Sequence, residues 1–107
     1  MNQDKSFGDT VKYLREERNL TLREVAAQLQ IDTSMLGKIE KNNRKPTKQM
    51  IERLSKFFHV SEKYLTIAFL SDTIVYHVID EQDFATEVLK VAEKKVKYLK
   101  VKKSPHQ

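Results

Sequence analysis

Between Leu20 and Pro46 the chain reads LTLREVAAQLQIDTSMLGKIEKNNRKP, and this stretch limits its possible folds more than any other. Val25, Ala26 and Leu29 share one face of a helix over Leu22 to Leu29. Leu36 and Ile39 share a face of a second helix, from Thr33 to about Lys41, after a turn of about three residues. Helices joined so tightly must cross closely, which needs a small residue at the crossing, and Ala26 supplies it. Their starts are also marked. Thr21 stands three residues before Glu24, the spacing of a capping box, and Asp32 is placed to cap the second helix.

The rest of the chain supplies the neighbours this pair requires. A first helix is expected from Phe7 to about Asn19, with Phe7, Val11 and Leu14 on one face. A basic loop ends at Pro46, and Thr47 can cap a fourth helix carrying Ile51, Leu54, Phe57 and Phe58. Ser61 and the run from Lys63 to Leu70 read as a fifth. Val25, Leu29, Ile31, Leu36 and Ile39 are then expected to knit the central pair to the first and fourth helices. Thr73 to Ile79 is rich in β-branched residues and reads as a strand or as a continuation of the fifth helix. No partner strand is visible, so the continuation is expected. A last helix has the apolar stripe Ala85, Val88, Leu89, Ala92, Val96 and Leu99, with Glu81 and Asp83 at its start and lysines towards its end, as the helix dipole favours. With only two Gly and two Pro, the chain lacks the turn residues of a sandwich or barrel, and an all-α fold is expected. The expected organisation is a domain over residues 1–70, a helical extension over 71–103 and a disordered tail over 104–107.

The formal charge is +5, and its distribution says more than its size. Lys38, Lys41, Arg44, Lys45 and Lys48 lie close together with only Glu40 among them. Residues 90–103 hold seven lysines against Glu93. There is no cysteine, so neither a disulfide nor a thiolate metal site is available. His59, His77 and His106 are scattered, without metal-ligand spacing. No Gly-rich phosphate loop, nucleophile elbow or Ser/His/Asp set occurs, so neither an enzyme nor a cofactor is expected. No apolar run is long enough to span a membrane, and the polar start does not read as a signal peptide, which points to the cytoplasm.

With its inner face used for packing, the third helix projects its outer face and is thin enough for a major groove about 12 Å wide. Over roughly residues 7–65 the pattern resembles the phage-repressor-like helix-turn-helix family, of the Cro/CI or XRE type, and VSEKYL looks like that family's fifth helix. The resemblance implies a five-helix lambda-repressor-like domain that binds double-stranded DNA, with additional C-terminal helix or helices. It implies base reading by Thr33, Ser34 and Lys38, with Met35 and Gly37 on the adjoining surface. A lysine can donate to guanine, a hydroxyl can bond either base edge, and Met35 or the Thr33 methyl can touch a thymine methyl. Helix capping is the competing role for Thr33 and Ser34, and simple solvation is the competing role for Lys38. Phosphate contacts are expected from Thr21, the first N–H groups of the second helix beginning at Leu22, and Asn42, Asn43, Arg44 and Lys45. The competing role for that loop is simple solvation. Arg15 and Glu40 match the family's internal salt bridge between the first and third helices. Two positions depart from the family pattern. Leu22 replaces a Gln that braces a phosphate and a base-reading neighbour, and Gln30 stands where Gly with positive φ is common. A non-Gly residue there costs about 1 kcal/mol, so a slightly altered turn is expected.

Family members commonly dimerise through the fifth helix or the segment after it, which implicates Tyr64, Leu65, Ala68, Phe69, Val88, Ala92, Val96 and Leu99. The lysine-rich helix then has three readings: a solvated face around a stripe packed on the domain, a homodimer interface, or an extra nucleic-acid contact. The resulting expectation is a dimeric transcriptional regulator on a short inverted repeat, in the setting of a repressor, a restriction-modification controller or an antitoxin. The competing classes are a protein-interaction module with weak DNA binding, such as an antitoxin holding a toxin, and a non-specific nucleic-acid coat.

Overall fold

The computed structural model describes residues 4–103 and is built from six α-helices, with no strand among the described residues. They are α1 (Phe7–Glu17), α2 (Leu22–Leu29), α3 (Thr33–Glu40), α4 (Lys48–Phe58), α5 (Glu62–Val78) and α6 (Ala85–Lys103), with a 3-10 turn at Ile79–Glu81. The β-branched run Thr73–Val78 continues α5 as a helix. The chain divides into two compact units, residues 1–72 and 73–107, so the boundary falls inside α5. The tail expected to be disordered, 104–107, lies outside the described residues.

In the first unit the apolar faces read from periodicity meet in one core. Val11, Leu14, Val25, Leu36, Ile39, Leu54, Phe58 and Leu65 are almost wholly removed from water. Fully burying each such side chain contributes about 1.5–3 kcal/mol. Ala26 is buried as well, on α2, which packs against α3. Leu65 and Ala68 are a correction to the expected dimer surface: they face inward and belong to this core. Tyr64 and Phe69 are partly buried against it, and the Phe69 ring meets Phe7 edge-on at 5.9 Å between centroids.

Most helix starts are capped as the sequence suggests. Thr21 and Glu24 form the reciprocal box, with bonds of 3.1 Å and 2.8 Å. The Thr47 hydroxyl accepts from the Met50 N–H at 3.0 Å, and Ser61 accepts from Tyr64 at 3.1 Å. Asp32 departs from expectation: it has N-cap backbone angles but its side chain makes no capping bond.

Helix ends are handled with almost no glycine. Asn19, Gln30, Asn42 and His59 all adopt left-handed backbone angles, with φ between 56° and 62°. Gln30 therefore keeps the left-handed turn instead of altering it. Its strain is offset by bonds that satisfy terminal carbonyls, since Ile31 N–H reaches Ala26 O at 3.0 Å and Arg53 donates to Leu29 O at 3.1 Å. Arg18 does the same for two other helices, donating to Leu14 O at 2.9 Å and Phe58 O at 2.8 Å.

One glycine is required by close approach. Gly8, in the first turn of α1, is buried against the end of α3, and a Cβ there would collide with the Glu40 carbonyl and lie 2.7 Å from that of Ile39. Gly37 is different, because its nearest neighbour would be Leu22 Cδ1 at 4.0 Å. Gly8→Ala is therefore expected to lower unfolding stability by about 1–3 kcal/mol in urea denaturation. Gly37→Ala should be neutral or stabilising by up to about 1 kcal/mol, since alanine favours a helix interior. Equal losses at both positions would contradict this packing.

Candidate nucleic-acid interface

The outer face of α3 is held from behind. Arg15 of α1 grips Glu40 with two parallel bonds, Nε to Oε2 at 2.7 Å and Nη2 to Oε1 at 3.0 Å. A third bond, from Nη1 to Leu20 O at 2.9 Å, ties the same guanidinium to the connection leading into α2. The side chains are only 11% and 5% exposed, so little water competes. The bond to Glu40 also raises the Arg15 pKa above its ordinary value. Both residues were legible in the sequence as a pair, and the structure brings them together.

A second clamp holds the other side of the α1–α3 contact, and no pattern in the sequence pointed to it. Asn42 lies just beyond α3, and its left-handed backbone turns the side chain towards α1. Its Oδ1 accepts the Gly8 N–H at 2.9 Å, and its Nδ2 donates to Ser6 Oγ at 2.9 Å. Asn42, expected among the phosphate contacts, has its amide bonded at both ends to the start of α1. The Phe7 N–H next to it donates to Asp72 at 2.7 Å, placing an anionic carboxylate at the positive end of α1.

In front of these clamps lies a face with unused donors. Thr33, Ser34 and Lys38 are exposed, and none has a side-chain hydrogen bond or ion pair among the described residues. The capping role weighed for Thr33 and Ser34 is not taken up. Met35 and Gly37 are half-buried, and Met35, like Leu22, packs against the core. Ser34, Lys38 and Lys41 follow one another at spacings of four and three, so they line one stripe of the helical turn. Lys41, read from the sequence only as part of the basic cluster, extends that stripe one turn beyond Lys38.

The loop after α3 extends the positive field. Asn43, Arg44, Lys45 and Lys48 are exposed, and no side-chain bond or ion pair ties them down among the described residues. The one acidic residue within this cluster, Glu40, is already neutralised by Arg15. At the start of α2 the Thr21 N–H is taken by Glu24, whose carboxyl is held below the usual range first by that backbone bond and then by the Thr21 side chain. The cap stays intact at neutral pH and is lost only as the pH falls through the lowered value. The first-turn N–H groups of Leu22 and Arg23 lack intrahelical acceptors, as at any helix start. Among the described residues no cluster of His, Cys, Asp and Glu could hold a metal ion, and no helix is long and apolar enough to cross a membrane.

Removing either partner of the Arg15–Glu40 pair leaves an uncompensated charge near the core. Glu40→Gln and Arg15→Met are each expected to cost about 3 kcal/mol in unfolding free energy. The double variant should recover part of the loss, and chemical denaturation of all four proteins measures the coupling. Strict additivity would show that the two side chains do not act together.

A helix-turn-helix family model matches residues 11–65, just over half of the chain. The match contains α2, α3 and α4 entirely and most of α1. No curated protein and no solved structure matches the chain. This family consists of DNA-binding regulators and is not an enzyme family. The unbonded donors on α3, the clamps behind it and the basic loop beside it agree with that match: the chain belongs to the phage-repressor-like, XRE-type helix-turn-helix family of DNA-binding transcription regulators.

Proposed function

We propose that the protein is a dimeric, sequence-specific regulator that reads a short inverted repeat through α3, as a repressor or a restriction-modification controller does. The observation that carries this reading is the state of Thr33, Ser34 and Lys38: exposed donors without partners among the described residues, on a helix anchored from behind by the Arg15–Glu40 pair. Lys38 would donate to guanine O6 or N7, and Ser34 or Thr33 to an adjacent base edge. Arg44 and Lys45 with Asn43, and the Thr21–Leu22 end of α2, would meet the phosphates on either side and fix the register. Leu22 cannot brace a phosphate through its side chain, so only its backbone N–H serves there.

Dimerisation is supported by the exposure of large apolar side chains outside the core. Val88, Val96 and Leu99 are 43–53% exposed, and Ile67, Leu70 and Ile74 of α5, which periodicity alone did not single out, are 46–52% exposed. A twofold dimer would place two half-sites with centres about one helical turn apart. These exposed apolar side chains also support a second reading, in which the fold serves chiefly to hold a protein partner, as an antitoxin holds its toxin.

Selection from a random duplex pool at about 0.15 M salt separates the two readings when Lys38→Ala is run in parallel. An enriched inverted repeat is expected for the native protein. Lys38→Ala should lose preference at one position per half-site, worth about 1–3 kcal/mol of discrimination. No enrichment with either protein would overturn sequence-specific reading and leave the protein-holding function.

A further inference from the structure

The C-terminal unit carries two patterns that its own fold leaves unused. Along α6, Ala85, Leu89, Ala92, Val96 and Leu99 recur at alternating spacings of four and three. That is the heptad rule for a helix packed along one partner helix. Yet Leu89, Val96 and Leu99 are 44%, 53% and 49% exposed, and no residue of α6 whose burial is described counts as buried. Ala85 and Ala92 keep part of the seam shallow, so another helix can come close.

Charges along the same stretch are sorted by sign. Asp80, Glu81, Asp83 and Glu87 occupy its start, with no Lys or Arg among them. Lys94, Lys95, Lys97, Lys100 and Lys102 occupy its end, with no Asp or Glu among them. A helix of this length is about 28 Å long, several times the Debye length of about 8 Å in physiological salt. The two ends therefore act as separate patches of opposite sign. An anionic polymer or lipid surface would attract one end and be repelled by the other. A copy running parallel would set lysines against lysines. A copy running antiparallel matches both ends at once.

We propose that α6 is a self-pairing helix: a second copy of the chain, running antiparallel, covers the Ala85–Leu99 seam, with the acidic start of each copy along the basic end of the other. This rests on the dimer reading above and gives it a site and a direction. The apolar seam supplies the affinity. The charge order selects the orientation through attraction between the oppositely charged ends, and makes the association weaker in high salt.

Sedimentation equilibrium of the full chain tests this with two charge-reversed variants. One carries Glu81→Lys, Asp83→Lys and Glu87→Lys; the other carries Lys97→Glu, Lys100→Glu and Lys102→Glu. Each alone is expected to weaken self-association by at least about tenfold. An equimolar mixture should form a heterodimer with a constant close to that of the native homodimer, which also shows that both variants still fold. A native dimer indifferent to either reversal would overturn the antiparallel pairing and leave the dimer standing. A mixture that fails to recover, or that binds tighter than the native chain, would also overturn the pairing. A native chain that stays monomeric would overturn both the pairing and the dimer.

Discussion

The contact between α1 and α3 is the constraint on which the recognition face depends. A short helix has few side chains with which to fix its own angle, and α3 is used on its inner face for Leu36 and Ile39. Two polar clamps supply the rest. The Arg15–Glu40 pair joins the helices side to side and, through Leu20 O, fixes the path into α2. The Asn42 amide fastens the residue just past α3 to Gly8 and Ser6 at the start of α1. A shielded ion pair contributes little net stability once desolvation is counted, but it penalises every geometry that breaks it. Such a pair suits a helix whose direction matters more than its stability.

How much of this was legible in the sequence depended on the range of the interaction responsible. Helix positions were readable because three-to-four periodicity is local, and Thr73–Val78 resolved as helix because a lone strand has nothing to bond. The failures came from contacts distant along the chain or from helices apolar all round. Asn42 sits among cations and so resembled a phosphate ligand, and nothing local showed that its amide bonds Gly8, thirty-four residues earlier. Leu65 and Ala68 lie in a segment with Ile67, Phe69 and Leu70, where nearly every face is apolar, and periodicity could not say which side would turn inward. Gln30 was expected to alter its turn. It did not, because the bonds made by Ile31 and Arg53 compensate the left-handed backbone.

The candidate site was legible for a different reason. A face that is to bind DNA as proposed must leave its donors unpaired, and a family pattern carries their positions. Thr33, Ser34 and Lys38 emerged together on that ground, whereas Met35, named with them, is partly drawn into the core. What no local pattern could show was the division of labour around the basic loop. Glu40 is buried against Arg15 and the Asn42 amide bonds Gly8 and Ser6, while Lys41, Arg44 and Lys45 are exposed and create the field.

The central claim is that α3 enters the major groove, and methylation interference on a selected duplex tests it most directly. Methylating guanine N7 marks the major groove, and methylating adenine N3 marks the minor groove. The account predicts that N7 methylation at one or two guanines per half-site blocks binding, while adenine N3 methylation in the same half-sites leaves it intact. Interference by adenine N3 methylation alone would place the protein in the minor groove and contradict the account.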